Sequence, residues 1–213
     1  MKRILLTICA AAGLLLACNN KEDKTDGTTT PEVKEEAWVP VDSATMMKNM
    51  MEYGTPGPMH SLLASWDGTW TGEMTMWDYE GATPYTAATT AVNTMLMDGK
   101  YQSSTHSGNM MGMPFEGRSI MGYDNATKKF TSAWIDNFST GIMIMSGTWD
   151  DASKTMTLTG TTPDINRPGK ECNMREIFRV VDENTQYMEM YGPDHRNGKE
   201  YKMFEIKMTR KKK

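Results

Sequence analysis

Between Gly68 and Thr209 turn signals divide the chain into ten strand-like runs, and no helical periodicity lies between them. The runs are Thr69–Trp77, Tyr85–Met97, Lys100–Ser107, Phe115–Tyr123, Lys129–Asp136, Gly141–Trp149, Thr155–Thr161, Glu171–Val181, Thr185–Tyr191 and Lys199–Thr209. Asp98-Gly99 is a strong hairpin signal, and Gly108-Asn109, Asp124-Asn125 and Asp150-Asp151 close later runs. Without crossover helices a parallel sheet is excluded. The pattern predicts an all-β fold: an antiparallel up-and-down β-barrel of about ten strands, closed so that no sheet edge is left exposed. A barrel of that size leaves an interior with room for one small ligand.

The segment ahead of the strands reads differently. Met46, Met47, Met50 and Met51 recur at helical spacing. Pro56-Gly57-Pro58 breaks the chain, and Pro58 suits the first turn of a second short helix from Met59 to about Trp66. The expected organisation is a helical segment at 43–66 packing on a barrel at 67–210, followed by a basic tail at 211–213.

The first residues read as an address. Lys2 and Arg3 precede the apolar run Ile4–Leu16, which is too short to span a bilayer. Leu15-Leu16-Ala17-Cys18 resembles the bacterial lipobox, which implies a signal peptide at 1–17 and lipidation of Cys18. The alternative is an ordinary signal peptide that happens to contain a cysteine. Residues 18–42 are polar and charged and read as a flexible tether, with a mean span of about 25–30 Å. The expected location is the bacterial cell envelope, and Asn19 after the cysteine, by resemblance to lipoprotein sorting in enteric bacteria, implies the outer membrane.

Composition removes several function classes. The net charge is −4, from 23 basic and 27 acidic side chains, which argues against a nucleic-acid partner. Three cysteines cannot make a disulfide framework, and three histidines leave little room for a multi-histidine metal site. No nucleophile elbow, P-loop, zincin helix or dinucleotide fingerprint is present in the sequence. No cofactor and no metal are expected. The 22 methionines read first as adaptable packing. Met110, Met111 and Met113 beside His106 are the best cluster for a copper(I) site, a minority reading.

Five residues stand out as candidate ligand contacts: His60, His106, Trp134, Asp136 and Arg175. His60 is either a donor at a barrel mouth or a buried histidine tying helix to barrel. His106 is either a ligand donor or an exposed strand end. Trp134 and Asp136 share one strand face, and facing inward they would give a pocket an aromatic wall and one polar group. An inward Arg175 would bind a carboxylate head group; outward, it is a surface arginine. Cys172, alone in an apolar run, reads as packing. The leading functional reading is a lipid-anchored module that binds a small apolar or amphipathic molecule. The alternatives are a hydrolase or isomerase with a His/Asp site in the barrel mouth, and a protein-binding envelope scaffold.

Several segments together resemble a known family. They are Pro56-Gly57-Pro58-Met59-His60, Gly68-Thr69-Trp70, Gly112-Met113-Pro114-Phe115-Glu116-Gly117, Gly122-Tyr123-Asp124, Trp134-Ile135-Asp136 and the terminal Thr209-Arg210. In order and spacing they resemble the secreted bacterial family catalogued as domain of unknown function 1579, over roughly Met46 to Arg210. The resemblance implies a lipocalin- or calycin-like barrel and no established reaction. Gly68-x-Trp70 also resembles the first-strand G-x-W of lipocalins. That likeness implies a structural role for Trp70 at the closed end, with Arg210 stacked on it.

Overall fold

The computed structural model describes residues 37–212. The leader, Cys18, most of the tether and Lys213 lie outside the described residues. Two helices come first, α1 (Ser43–Gly54) and α2 (Pro58–Ser65). Ten strands follow: β1 (Gly68–Met76), β2 (Tyr85–Leu96), β3 (Tyr101–Met110), β4 (Met113–Asp124), β5 (Lys129–Asp136), β6 (Met143–Asp150), β7 (Thr155–Pro163), β8 (Glu171–Asp182), β9 (Thr185–Pro193) and β10 (Glu200–Arg210). Each strand pairs antiparallel with the next, and β10 returns to pair with β1, closing the barrel.

Closure rests on alternation. In β1 the side chains of Trp70, Met74 and Met76 are buried while Thr71 and Glu73 face solvent. Across the β1–β10 seam Trp70 pairs with Arg210, Gly72 with Met208, Met74 with Ile206 and Met76 with Phe204, so one apolar row continues around the wall. A one-residue slip would turn that row outward, which fixes the register.

One turn differs from the sequence expectation. Gly108-Asn109 lies within β3, and the chain reverses at Met111-Gly112, both at positive φ (52° and 82°). Two adjacent left-handed residues suit the twist of a tight hairpin. Gly108 instead faces inward, where a Cβ would lie 2.9 Å from the Ala88 carbonyl oxygen.

α2 closes one end of the barrel. Its backbone begins at Pro58, and the Gly57 N–H donates to Nδ1 of His60 at 3.0 Å, which satisfies one of the free donors at the helix start. Leu63 of α2 and the following Trp66 are buried with Phe130, Met145, Met156, Leu158 and Met190. Complete burial of a side chain such as Leu63 contributes about 1.5–3 kcal/mol. Polar groups of the wall meet the exposed helix end: Gln102 Nε2 donates to Leu63 O, and Asn93 Nδ2 and Trp70 Nε1 both donate to Trp66 O.

Within the segment 43–66, α2 packs into the barrel end, whereas α1 leaves its methionine face uncovered. Met46, Met47, Met50 and Met51 are all exposed. α1 starts at Asp42, whose carboxylate accepts from the Ala44 and Thr45 N–H groups. Near its far end Asn125 Nδ2 donates to the carbonyls of Tyr53 and Thr55. These contacts hold the helix terminus without covering its methionines.

The opposite end is tied by a buried carboxylate. Asp194, fully buried, accepts from the Glu80 and Arg196 N–H groups and pairs with the Arg196 guanidinium at 2.7 Å. Arg196 also stacks on Tyr79 at 3.7 Å and donates to Glu80 O. This clasp joins the β1–β2 loop to the β9–β10 turn, and the Arg196 side chain holds the Asp194 carboxyl well below the usual carboxylate range.

Candidate functional site: the barrel lumen

The strand registers define which side chains face the interior. Ala91 of β2 pairs with His106 of β3, His106 with Gly117 of β4, and Gly117 with Asp136 of β5. Trp134, two residues before Asp136, pairs with Ser119 and Met143. On the far wall Glu176 of β8 sits between Leu158 of β7 and Met190 of β9, both buried. Its own strand places Met174 and Phe178 on the same face.

Many of these inward residues keep accessible area although the barrel encloses them. His106, Phe115, Trp134, Met143, Met174, Glu176, Met188 and Phe204 are half-buried, whereas Trp70, Phe130, Met145, Met156 and Leu158 are sealed. The sealed set lies towards the end closed by α2 and the Trp70–Arg210 stack. The half-buried set lines the remainder of the lumen.

Three of the expected contacts come together there. The Trp134 Nε1–H donates to Asp136 Oδ2 at 2.7 Å, and Asp136 Oδ1 accepts from the Phe138 N–H at 2.9 Å. The His106 ring meets Trp134 edge-on, with centroids 5.1 Å apart, and Phe115 stacks on the same indole at 6.3 Å. Gly117 makes this arrangement possible. A Cβ at that position would lie 2.4 Å from Trp134 ring carbons, so the indole occupies the space a side chain would fill. His106 makes no hydrogen bond with any described residue, and burial pulls its imidazole down to about 4. At neutral pH it is an uncharged ring offering one donor and one acceptor.

The other expected contacts lie elsewhere. Arg175 is corrected: its register with Tyr191 and Thr159 puts it on the outer wall, opposite in face to Glu176. There it is engaged by Glu200 through two hydrogen bonds and stacks on Tyr191 at 3.9 Å. Alternation on β8 leaves no inward place for it. His60 is buried in the plug, accepting from Gly57 and meeting Tyr123 edge-on at 5.8 Å, away from the Trp134 cluster. Its hydrogen bond is to the start of its own helix, and Tyr123 is its aromatic contact on the barrel. His60 also borders a hollow of about 330 Å³ on the outer wall, lined by Tyr53, Tyr101, Ile120 and Tyr123 among others, separate from the Trp134 cluster. Arg210 lies 4.2 Å over Trp70 and donates to the carbonyls of Ser65, Asp67 and Glu183. Met111 and Met113 are exposed at the hairpin tip, whereas Met110 packs against the inner core.

Glu176 is the residue sequence reasoning missed. It has no hydrogen bond or ion pair with any described residue, and burial pushes its carboxyl up to about 7. By register Glu176 faces inward, and it is half-buried, so its carboxyl keeps some accessible area despite the desolvation. The signal was available: Glu176 interrupts the apolar row Cys172, Met174, Phe178 and Val180. Deeper in, the buried Trp66 Nε1 has no partner among the described residues.

Residues 55–210, most of the chain and all of the barrel, match the family described as "Protein of unknown function (DUF1579)". The chain belongs to this family. The barrel is also similar to the crystal structure of Rv2717c from M. tuberculosis, with a TM-score of 0.53 and 13% identity over 74% of this chain and 100% of that one. At that identity the likeness concerns the fold alone. No curated protein matches the chain significantly.

Proposed function

We propose that this member of the DUF1579 family binds a small apolar or amphipathic molecule in its barrel lumen. The observation that carries the reading is the half-buried inward set, in which apolar and aromatic side chains surround two polar groups, His106 and Glu176, that have no hydrogen-bond partner among the described residues. Apolar walls with a few convergent polar groups are the usual composition of a small-molecule site. The geometry favours binding over acid–base catalysis, because Asp136 is committed to Trp134 and Phe138 and does not orient His106.

The leader supports a location for this binding. Lys2, Arg3, the run to Leu16 and Cys18 suit export and lipid attachment, which would hold the barrel at an envelope membrane. A second reading, a protein-binding scaffold, is favoured by an outer-wall stripe of exposed isoleucines, Ile120, Ile135, Ile142 and Ile144, on β4, β5, β6 and the loop before β6.

Native mass spectrometry of the chain from Asn19 onward, purified gently from bacteria, tests the first reading. A stable added mass that is lost on denaturation is the expected result. A bare mass, together with co-purification of a protein lost on Ile120→Lys, would turn the assignment to the scaffold.

A further inference from the structure

We propose that the lumen selects amphipathic molecules with a cationic amine head, and that Glu176 is the counter-ion that receives it. The proposal rests on the lumen reading above and adds the charge of the ligand. Two carboxyl groups face the interior, Asp136 and Glu176. Asp136 is spent on Trp134 and Phe138, whereas neither oxygen of Glu176 has a donor among the described residues.

Among the described residues no lysine or arginine opposes them along the lining. Arg210 has an inward register, but it lies on Trp70 at the plugged end, with its donors taken by three backbone carbonyls. Arg175, Arg118, Arg179 and Lys202 project from the outer face: Arg175 meets Glu200, Lys202 meets Glu189 and Glu205, and Arg118 and Arg179 are exposed. A fatty-acid-like carboxylate would therefore find no inward cation and would meet like charge.

An amine finds the converse. Glu176 would accept its N–H groups in a low-dielectric setting, where a charge-assisted hydrogen bond is strong. Met174 and Phe178 on the same face of β8 and Met190 beside it on β9 offer polarizable surface to the cation and its apolar body. Glu176 is the sixth of twelve residues in β8 and lies about 13 Å along the strand from Cys172, which is at the end away from α2. An amine at Glu176 thus sits at mid-depth, with apolar lining on both sides of it.

Calorimetric titration at pH 8 with decylamine, decanol and decanoate tests this, using the parent chain and Glu176→Gln, with melting curves to confirm that the variant folds. The three probes share one tail and differ in head-group charge. Decylamine is expected to bind at least about tenfold tighter than decanoate. Glu176→Gln is expected to remove most of that margin and to leave decanol affinity within about threefold. Decanoate binding as tightly as the amine would overturn the charge assignment while leaving the lumen reading intact. An amine preference that survives Glu176→Gln would overturn the role of Glu176. Binding of none of the three would count against both the proposal and the lumen reading on which it rests.

Discussion

Replacing Glu176 or His106 by glutamine is expected to uncover two opposed pH dependences that offset each other in the parent protein. The carboxyl of Glu176 moves from its ordinary value of 4.5 to about 7 on folding, because burial disfavours its charged form. Its contribution is fully present below pH 4.5 and is lost as pH rises through 7. Its span, 7 − 4.5, is worth about 3 kcal/mol at ~1.4 kcal/mol per unit. The imidazole of His106 moves the other way, from 6.5 to about 4, also through burial. Its contribution is present above pH 6.5 and is lost as pH falls towards 4, again by about 3 kcal/mol. Between pH 4.5 and 6.5 the folded protein holds the Glu176 proton and lacks the His106 proton, while the unfolded chain does the reverse. The two slopes, each ~1.4 kcal/mol per pH unit and opposite in sign, therefore cancel. Urea denaturation of the parent, Glu176→Gln and His106→Gln between pH 4.5 and 8 reads this directly. Relative to the parent, Glu176→Gln should gain about 3 kcal/mol as pH rises across the range. His106→Gln should gain about 2 kcal/mol as pH falls from 6.5 to 4.5. Other titrating groups are common to all three proteins and drop out of the differences. A stability difference for Glu176→Gln that stays constant with pH would refute the enclosed, desolvated lumen on which the site is built.

Three further outcomes are expected. Gly117→Ala should cost about 1–3 kcal/mol in urea denaturation, because its Cβ meets the Trp134 ring at 2.4 Å; an unchanged midpoint would mean that the indole lies elsewhere. Arg210→Lys should cost about 2 kcal/mol by the same measurement, since an ammonium cannot reproduce the stack on Trp70 together with donation to three carbonyls. Asp194→Asn should lower the thermal midpoint at pH 7. The margin should shrink as pH falls below the ordinary carboxylate range, because the folded carboxyl is held low by Arg196 and its contribution is lost on protonation; a margin independent of pH would exclude the clasp as its source.

The barrel was legible because its determinants are local. Asp98-Gly99, Asp124-Asn125 and Asp150-Asp151 reverse the chain where the strands end, and the alternation between them has period two. Pro58 marked the start of α2 for an equally local reason. The Gly108-Asn109 signal misled, since a glycine needed for close approach to Ala88 looks the same in sequence as one needed for a turn. The four methionines of α1 misled as well. Helical spacing shows that they share a face, and whether anything covers that face depends on where the rest of the chain passes.

The site divides along the same line. Trp134 and Asp136 could be seen to share a face because that relation lies within one strand. That His106 meets them across Gly117 is a matter of register between three strands, and register is set by pairing that no single segment encodes. Arg175 and Glu176 show the limit most clearly. Sequence places them on opposite faces of one strand, and the apolar row that Glu176 interrupts marks the inner face only in outline. The neighbours decide: Leu158 and Met190 flank Glu176, and Glu200 and Tyr191 hold Arg175 on the outer wall. The chain by itself therefore determined an up-and-down barrel and the partition of its residues into two faces, because turns and alternation are short-range. Only closure of β1 onto β10 decided which face became the lumen. That choice turned the Glu176 carboxyl inward and left Arg175, one of the candidate contacts, on the outer wall.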